Sequence, residues 1–419
     1  MVSHCLEVPW CKPMNILHYV ESTDSRMGGV PRFVLDASRV MASRGHPSTI
    51  LALNTTDTPE SWLADHDGSE LPIAKQLPRP SLMGKLFGPK QLRAIREELA
   101  KADVVHLHCV WSTSTFQIAI AARQMGIPYV VSLHGMLDDW SMAQRAIKKK
   151  AFMALGGKQF LENAARVHST AQAELDQSAK WFPKGTAEII PYLMDLEPYR
   201  HLPGEAAAKA HFPMLSDGTP NILFLSRIHY KKGCEHLLHA AAEHVASGKS
   251  GKFIFAGTGD EAYVSSLQTL ASTLGIADRV HFVGQVCGDL KLSLYQAADC
   301  FVLPTSQENF GLVIVEAMMC NTPIITTKGV DIWKDIEASN AAAIVPQTGP
   351  ALAAAIGSMV ADKSEVTRMG ALAREWVFTT YGEDSLIGRY ENLYRTCSKD
   401  RRRTVTPTTV SAGVVLQAA

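Results

Sequence analysis

The feature that most constrains the fold of this 419-residue chain is a regular alternation of short apolar segments with amphipathic helical segments. In the first half, the apolar segments include NILHYV (15–20), STILALN (48–54), VVHLHCV (104–110) and PYVVSLHG (128–135). When each strand is followed by a helix, the strands run parallel and the helices cover both faces of the sheet. The first half therefore predicts a doubly wound α/β domain.

The same alternation starts again after a linker rich in proline and glycine. The second series of predicted strands comprises NILFLSR (221–227), KFIFAG (252–257), RVHFVG (279–284), CFVLP (300–304), PIITT (323–327) and AAIVP (342–346). We therefore predict an α/β fold of two Rossmann-like doubly wound domains that face each other across a cleft. Ligands of open parallel sheets bind beyond the carboxyl ends of the strands, so functional residues are expected there.

These patterns divide the chain into six parts. They are a disordered leader at 1–13, a first Rossmann-like domain at 14–203, a linker at 204–219, a second Rossmann-like domain at 220–378, a helix at 379–398 that returns to the first domain, and a flexible tail at 399–419. Met14 is a second candidate start. A long helical stretch is expected from Met142 to Asn163, whereas the polar, proline-rich passage from Thr55 to Pro89 shows no clear period.

The composition excludes several classes of function. Lysine plus arginine equals aspartate plus glutamate, at 41 each, so the chain has no basic excess for binding nucleic acid. No apolar run approaches the roughly 20 residues that span a bilayer, and the first residues lack the pattern of a signal peptide. The eight cysteines form no CxxC pair, which is typical of reduced thiols. We therefore expect a cytoplasmic protein.

Basic side chains stand at the first strand-to-helix junction of the second half. Arg227 follows the strand NILFLS, and Lys232 and Gly233 precede a helix. Cations at a junction that opens on a cleft suit a phosphate group. A solvated basic loop is the alternative, and these residues by themselves do not decide between the two.

Glycines end the next two strands, at Gly257 and Gly284. A glycine lets a ligand approach the backbone closely. Both are also ordinary turn residues, and glycines without the full GxGxxG pattern are weak evidence for a nucleotide site.

The segment SQENFGLVIVEAMM (306–319) places a carboxylate at each end of an apolar stretch. Its helix is predicted to begin near Phe310 or Gly311. The amides of a helix N-terminus bind anions, while Glu308 in the loop and Glu316 in the helix can accept hydrogen bonds from sugar hydroxyls. Together they describe a nucleotide-sugar site. The alternative is an ordinary loop acid and an ordinary helix acid.

The spacing Glu308-x7-Glu316, with Arg227 and Lys232-Gly233 upstream, resembles the retaining glycosyltransferases of family 4, which have the GT-B fold. The resemblance covers nearly the whole chain and is strongest in ENFGLVIVEAMMCNTPIITT and SRIHYKKG. In the first half, GGV, HLHCVW and SLHGMLDDW are similar to the acceptor-side loops of a bacterial exopolysaccharide and lipopolysaccharide branch. Ser226 departs from the pattern, since many relatives have glycine there.

The resemblance implies a role for each matching residue. Arg227 and Lys232 would hold the donor diphosphate, Glu308 would contact the transferred sugar, and Glu316 would bind the ribose hydroxyls. The implied catalytic residues are His134, Glu308, Arg227 and Lys232. The implied donor-binding residues are Gly28, Gly29, Arg227, Lys232, Gly257, Gly284, Glu308, Asn309, Phe310, Gly311, Leu312 and Glu316. His108, Trp111 and Trp140 are assigned to the acceptor side, and the two tryptophans also fit a partly buried core.

The resemblance also implies the reaction. A hexosyl group passes from a nucleotide-diphosphate sugar to a glycan or lipid-linked acceptor with retention of configuration, in surface polysaccharide or lipopolysaccharide biosynthesis. The departing phosphate can take the acceptor proton, so no protein base is demanded. No cofactor is implied beyond the sugar nucleotide as co-substrate. Two alternatives remain open, a nucleotide-sugar 2-epimerase of the same fold and a non-catalytic nucleotide-sugar-binding protein. The Glu308–Glu316 pair favours the transferase.

Two motifs suggest a metal, and we expect neither to bind one. His106 and His108 alternate on one strand and so share a face, but no third ligand stands at a useful spacing. Asp65-His66-Asp67 is a D-x-D string that binds a divalent metal in another glycosyltransferase fold, but here it lies in a polar, turn-rich segment. Transfer is therefore expected to be metal-independent.

Basic and apolar residues alternate in QRAIKKKAFMALGGKQFLEN (144–163). A basic amphipathic helix can lie on an anionic membrane, and a solvated helix face is the alternative. The acceptors of the resembled family are often lipid-linked. This favours contact of the basic 145–158 region with the inner face of the cytoplasmic membrane.

Overall fold

The fold divides into two compact units in the computed structural model, which describes residues 12–64, 66, 68, 70–80 and 86–400. Unit 1 comprises the residues up to Ser169, Ser178–Glu188 and the residues from Ile387 onward. Unit 2 comprises Thr170–Gln177 and Ile189–Leu386. The predicted leader and tail lie almost entirely outside the described residues, as do Asp65 and Asp67 of the D-x-D string.

Unit 1 is built on a seven-stranded sheet in the order β3-β2-β1-β4-β5-β6-β7. Its strands are β1 (Ile16–Ser22), β2 (Ser48–Asn54), β3 (Ile73–Gln76), β4 (Val104–His108), β5 (Tyr129–Ser132), β6 (Arg166–Ser169) and β7 (Ala187–Ile189). The pairs from β3 through to β6 are all parallel. Strands β1, β4 and β5 are almost wholly buried, which their mainly apolar sequences predict for a sheet covered on both faces.

Helices join the strands of unit 1. They are α1 (Gly29–Ser43), α2 (Glu60–Leu63), α3 (Pro89–Leu99), α4 (Thr113–Gln124), α5 (Asp139–Ala143), α6 (Ala146–Phe152) and α7 (Lys158–Glu162). Short 3₁₀ turns lie at Ser25–Met27 and Ala179–Trp181, and a π-helical turn at Met153–Gly157 joins α6 to α7.

Unit 2 is built on a six-stranded parallel sheet in the order β10-β9-β8-β11-β12-β13. Its strands are β8 (Asn221–Leu225), β9 (Lys252–Ala256), β10 (Val280–Gly284), β11 (Cys300–Leu303), β12 (Ile324–Thr326) and β13 (Ala342–Ile344). The helices from here to the end of the chain are α8 (Gln172–Ser178), α9 (Glu197–Arg200), α10 (Ala206–His211), α11 (Cys234–Ala246), α12 (Glu261–Thr273), α13 (Gly288–Gln296), α14 (Leu312–Met319), α15 (Trp333–Ala338), α16 (Gly349–Met359), α17 (Lys363–Thr380) and α18 (Glu383–Asp400). Its 3₁₀ turns lie at Pro213–Ser216, Tyr230–Lys232 and Ala277–Arg279.

The predicted α/β fold with two doubly wound Rossmann-like sheets is confirmed. The prediction succeeded because central strands of such sheets, such as β8 and β11, are fully buried. An apolar run of four or five residues therefore marks each of them in the sequence. Within the described residues, we find no helix that is both long and apolar enough to cross a membrane.

The expected long helix from Met142 to Asn163 is wrong. Arg145 has φ 53°, in the left-handed region, and separates α5 from α6. Gly156 has φ 150° and interrupts the helical conformation a second time, inside the π-helical turn. The apolar spacing continued across both breaks, so the periodicity alone did not reveal them.

The passage from Thr55 to Pro89 also holds more structure than its composition predicts. It contains the short helix α2 and the strand β3. Strand β3 is the edge of the sheet and is only partly buried, so its four residues IAKQ lack an apolar run. An edge strand pairs on one side only and is less buried, so fewer of its residues need to be apolar.

Candidate functional site

The loops that follow β8 and β11 contact each other in unit 2. These strands are neighbours in the sheet and run parallel, so both loops leave the same sheet edge. The backbone N–H of Ser306 donates to the carbonyl of Lys231 at 2.8 Å, and the Thr305 hydroxyl donates to the same oxygen at 2.9 Å. The Lys231 ammonium donates to the Gln307 side chain at 3.1 Å. These bonds hold the basic junction against the loop that carries Glu308.

Gly233 sits where these two loops are closest. It has φ 75° and links the 3₁₀ turn at Tyr230–Lys232 to helix α11. A Cβ at this position would overlap the carbonyl oxygen of Pro304, which follows β11 directly. The same oxygen accepts a hydrogen bond from Gln347 at 2.6 Å. Glycine is therefore required for two reasons, the left-handed backbone and the close approach of a neighbouring strand.

Lys232 and Glu308 form an ion pair at this junction. The lysine is only 6% exposed, and the glutamate is half-buried in the loop after β11. Burial, together with the positive charges of Lys231 and Arg227, lowers the pKa of Lys232 to about 7. The Glu308 carboxylate acts in the opposite direction, because an opposite charge favours the protonated ammonium. The pair thus places a buried lysine, whose protonation changes near pH 7, at the carboxyl ends of the strands.

The backbone of Glu308 is fixed by a short stretch of strand-like pairing. Its N–H donates to the carbonyl of Gly329 at 2.7 Å, and its own carbonyl accepts from the N–H of Asp331 at 2.9 Å. A Cβ at Gly329 would overlap the carbonyl oxygen of Thr305, so this glycine lets the segment after β12 lie against the loop. Sequence reasoning missed Gly329, whose only signal was a glycine shortly after the strand PIITT.

The start of helix α14 forms the remainder of this junction. Gly311 has φ 71° and precedes the helix, whose first backbone N–H groups have no partner within the helix. The helix begins at Leu312, close to the predicted start. The Phe310 ring is only 1% exposed and packs on Tyr192 and Tyr381, with ring centroids 4.8 and 5.3 Å apart. A ligand could therefore meet the backbone at Phe310 but not its side chain.

Asn309 is held by side chains of the same unit. Its amide oxygen accepts from the Thr170 hydroxyl at 3.0 Å, and its amide nitrogen donates to Asp331 at 3.4 Å. These contacts orient the amide beside the Glu308 loop. Its predicted role in donor binding stays a prediction.

Glu316 lies on α14 and is only 6% exposed. One carboxylate oxygen accepts from the Tyr199 hydroxyl at 3.1 Å and from the Lys291 ammonium at 2.8 Å, and the other accepts from the Tyr295 hydroxyl at 3.2 Å. Burial and the nearby Glu316 charge raise the pKa of Tyr295 well above its ordinary value. The sequence did not indicate these three partners, which lie on other elements. Glu316 is therefore a structural acid of unit 2 whatever else it binds.

The remaining predicted donor residues of unit 2 lie around the same sheet edge. Arg227 is exposed and stands two residues after β8. A Cβ at Gly257 would overlap the carbonyl of Ser226, and the Gly257 N–H donates to the carbonyl of Gly284 at 2.7 Å. Close packing of neighbouring chain segments thus accounts for the glycine at 257 without a ligand.

Unit 1 carries the other predicted residues. Gly28 has φ 109° and separates the 3₁₀ turn at Ser25–Met27 from α1, which Gly29 begins. Trp111 packs edge-on against Phe152, and the Lys149 ammonium lies 5.0 Å from its ring centre. These neighbours favour a structural role for Trp111. Trp140 lies half-buried on α5.

His108 and His134 belong to a cluster of imidazoles in unit 1. The His108 Nδ1 and His134 Nε2 atoms are 3.1 Å apart, and the His108 Nε2 and His18 Nδ1 atoms are also 3.1 Å apart. His18 is the third imidazole that the sequence did not reveal, since it stands on β1, far from the HLH motif. Ring nitrogens of His18, His106 and His108 lie within 4.8 Å of one another.

Two stretches of the chain match known families. Residues 28–192 match the family described as "Glycosyl transferase 4-like domain", and residues 208–376 match "Glycosyl transferases group 1". The chain therefore carries a glycosyltransferase 4-like domain followed by a group 1 glycosyltransferase domain. The two matches together cover most of the chain and confirm the glycosyltransferase resemblance drawn from the two glutamates and the basic junction, without testing retention or the polysaccharide branch.

Named relatives and solved structures resemble this glycosyltransferase along most of its length. A D-inositol 3-phosphate glycosyltransferase of Geodermatophilus obscurus is 28% identical, with 87% of this chain and 84% of the relative covered. A 2-deoxystreptamine glucosyltransferase of Streptomyces kanamyceticus is 23% identical, covering 85% and 95%. The structure of Anabaena HepE with UDP and glucose is 18% identical, with a TM-score of 0.71 and coverage of 91% and 100%. The structural likeness shows that this chain and HepE share the same fold.

Proposed function

We propose that this glycosyltransferase moves a hexosyl group from a nucleotide-diphosphate sugar to an acceptor hydroxyl, with retention of configuration and without a metal. The observation that carries the proposal is the junction of Lys232, Glu308 and the start of α14. It places a buried cation, a carboxylate and helix amides at one sheet edge. That combination suits a diphosphate next to a polyol.

Each group has a part in the proposed reaction. Lys232, the exposed Arg227 and the amides after Gly311 stabilise the negative charge that grows on the leaving diphosphate. Glu308 accepts hydrogen bonds from hydroxyls of the transferred sugar. The acceptor hydroxyl attacks on the face from which the nucleotide leaves, and its proton passes to the departing phosphate. No protein base is needed for this step.

A donor screen tests the proposal directly. Thermal unfolding is followed with UDP-, GDP-, ADP- and dTDP-sugars, because a ligand that binds the folded state raises the melting temperature. The bound donor is then given to candidate acceptors, and NMR of the product reads the anomeric configuration. The transferase assignment requires a glycoside with the configuration of the donor. Release of a free sugar epimer without acceptor would instead favour the epimerase, and wild-type transfer by Glu308→Ala would refute the site.

For the acceptor, we propose a glycan or lipid-linked glycan of a bacterial cell surface. The HLHCVW and SLHGMLDDW segments of unit 1 support it. A small cyclitol is the second candidate, because the two relatives named above act by their names on D-inositol 3-phosphate and 2-deoxystreptamine. A panel of glycolipids, oligosaccharides and free cyclitols with the same donor separates the two. Transfer to a cyclitol alone would exclude the polysaccharide role.

The pH dependence of donor binding follows from the lowered pKa of Lys232. A bound diphosphate raises the pKa of a neighbouring ammonium, so the complex keeps a proton that the free protein loses above pH 7. The contribution of Lys232 to binding is therefore full below pH 7 and is lost as the pH rises through the pKa of the complex. The Kd for UDP should rise above pH 7 by up to about tenfold per pH unit.

Calorimetry measures this linkage. Titrations with UDP at pH 8 in buffers of different ionisation enthalpy should show uptake of a proton on binding. Lys232→Met should abolish the uptake. If the variant takes up as many protons as the wild type, another group titrates.

Glu316→Gln should separate nucleotide binding from turnover. It preserves the shape of the side chain but removes the charge that pairs with Lys291. We expect the Kd for UDP to rise about tenfold with little change in kcat, and the free energy of unfolding to fall by about 2 kcal/mol. Tyr199→Phe is the control, since it deletes one hydrogen bond to the same carboxylate and should cost about 1 kcal/mol. An unchanged Kd in Glu316→Gln would remove Glu316 from the donor site.

We further propose that the basic 145–158 region, which contains α6 and the π-helical turn after it, rests on an anionic membrane. Ile147 is 86% exposed and Leu155 is 51% exposed, while Lys148 and Lys150 are exposed beside them. Lys149 is different, because its ammonium donates to the Ser141 carbonyl at 2.6 Å.

Co-sedimentation with vesicles tests the membrane contact. Binding to phosphatidylcholine vesicles that contain phosphatidylglycerol should weaken by about fivefold for each charge lost in Lys148→Met and Lys150→Met. The exposed Lys249→Met in unit 2 serves as the control and should bind as the wild type does. Equal binding to vesicles without phosphatidylglycerol would contradict the proposal.

A further inference from the structure

The imidazole cluster of unit 1 contains more histidines than His108 and His134, the two that have been given a role so far. It also contains His18, His106 and His168, and all three are fully buried. The parallel register accounts for the cluster. His18 pairs with His106, His108 pairs with Ser132, and Ser132 pairs with His168 across adjacent strands. Paired residues of a parallel sheet share a face, so these side chains crowd together on one side.

The cluster forms two separate series of hydrogen bonds. One runs from His18 through His108 to His134, with both nitrogen–nitrogen distances at 3.1 Å. The other joins His106 to the Tyr394 hydroxyl at 2.9 Å and to the Ser132 hydroxyl at 2.7 Å. The first series is of interest because it ends at the histidine assigned to the reacting centre.

Each imidazole of the first series carries one proton. Burial lowers the pKa of His18 and His134 to about 3 and that of His108 well below its ordinary value, so all three are neutral at pH 7. A neutral imidazole has one N–H donor and one bare acceptor nitrogen. In a series of such rings the direction of one hydrogen bond fixes the direction of the next. Only two arrangements are therefore possible.

The two arrangements differ at both ends. If His18 donates from Nδ1, His108 donates from Nδ1 and His134 must carry its proton on Nδ1. If the direction is reversed, the His134 proton lies on Nε2 and the His18 proton on its own Nε2. That Nε2 atom is buried and has no hydrogen-bond partner among the described residues. Buried backbone N–H groups without an acceptor are rarer than buried acceptors without a donor, and the same preference selects the first arrangement here.

We propose that His18 and His108 are positioning residues that hold the proton of His134 on Nδ1. This rests on the proposed function and on the catalytic role that the family resemblance implies for His134. In that tautomer the Nδ1 of His134 is an N–H donor, which suits an oxygen acceptor of a substrate better than a donor group. His18 acts across two hydrogen bonds without contact with the substrate.

Selective ¹⁵N labelling of histidine reads the tautomers directly. The imidazole nitrogen shifts distinguish a protonated Nδ1 from a protonated Nε2, and coupling across the N–H···N bonds gives their direction. His134→Gln identifies the His134 signals. We expect the His134 proton on Nδ1 in the wild type. A proton on Nε2 in the wild type overturns the proposal, and so does a metal bound stoichiometrically to the purified protein, since a metal would occupy these nitrogens.

A matched pair of variants tests the role of His18. Asparagine keeps an N–H donor near the position of Nδ1, whereas leucine has nearly the same shape without it. His18→Leu should give a mixture of His134 tautomers and lower kcat by about tenfold or more at unchanged KM for the donor. His18→Asn should keep the wild-type tautomer and most of kcat. The same His134 tautomer in all three proteins overturns the proposal. The spectra need no turnover, so they remain decisive if the donor screen fails.

Discussion

Replacing Lys232 by methionine should lower kcat/KM for donor transfer by a factor of about 10² to 10³, the size expected for a group that stabilises charge only as it develops. Methionine fills the same volume without the ammonium, so the junction after β8 should keep its packing. The loss should appear mainly in kcat, because the charge on the departing diphosphate grows in the transition state. Steady-state kinetics with the donor found in the thermal screen measures it.

Two comparisons guard this result against indirect effects. Lys249→Met removes an exposed lysine of unit 2 and should leave kcat/KM unchanged. Lys232→Met also leaves Glu308 without its partner, so the double variant with Glu308→Gln removes the unpaired charge. If the double variant recovers wild-type turnover, the loss came from the stranded carboxylate and not from the missing ammonium.

Gly233→Ala should lower the free energy of unfolding by about 4 kcal/mol and abolish donor binding. Alanine in the left-handed conformation costs about 1–2 kcal/mol. The additional cost arises because its Cβ would overlap the carbonyl of Pro304, a buried residue directly after β11. Moving that carbonyl would separate the loop of Glu308 from Lys232. Urea unfolding and UDP titration measure the two effects.

Gly248 provides the matched control at the other end of the same helix. It has φ 77°, against 75° for Gly233, and a Cβ there would meet nothing within 4 Å. Gly248→Ala should therefore cost only the backbone term, about 1 kcal/mol, with donor binding intact. Equal losses in the two variants would show that the approach of Pro304 is unimportant.

The sequence predicted the fold because the rule behind it is local. A buried parallel strand needs an apolar run of a few residues, and the helix that follows needs an apolar stripe. Both signals are visible in the order of the residues. The loops with Arg227, Lys232 and Glu308 could be placed for the same reason, since each follows a recognisable strand.

The partners of the site residues could not be predicted because they depend on the order of strands within each sheet. Tyr199 and Glu316 lie 117 positions apart, and His18 and His108 lie 90 apart. Nothing in an apolar run states which strand will be its neighbour. The interpretation of Glu316 as a donor-binding residue therefore did not include the three side chains that donate hydrogen bonds to its carboxylate. The third imidazole near the HLH motif, that of His18, could not be predicted because it lies on a strand whose pairing partner was unknown.

The ion pair between Lys232 and Glu308 means that the charge assigned to the donor diphosphate and the charge assigned to the transferred sugar satisfy each other. A sugar nucleotide that binds there must compete with a bond inside the protein, and its measured affinity is the difference between the two. Weak retention of the spent nucleotide follows from the same competition, because the pair re-forms as soon as the diphosphate departs. On the proposed function, we therefore expect Glu308 to help displace the product.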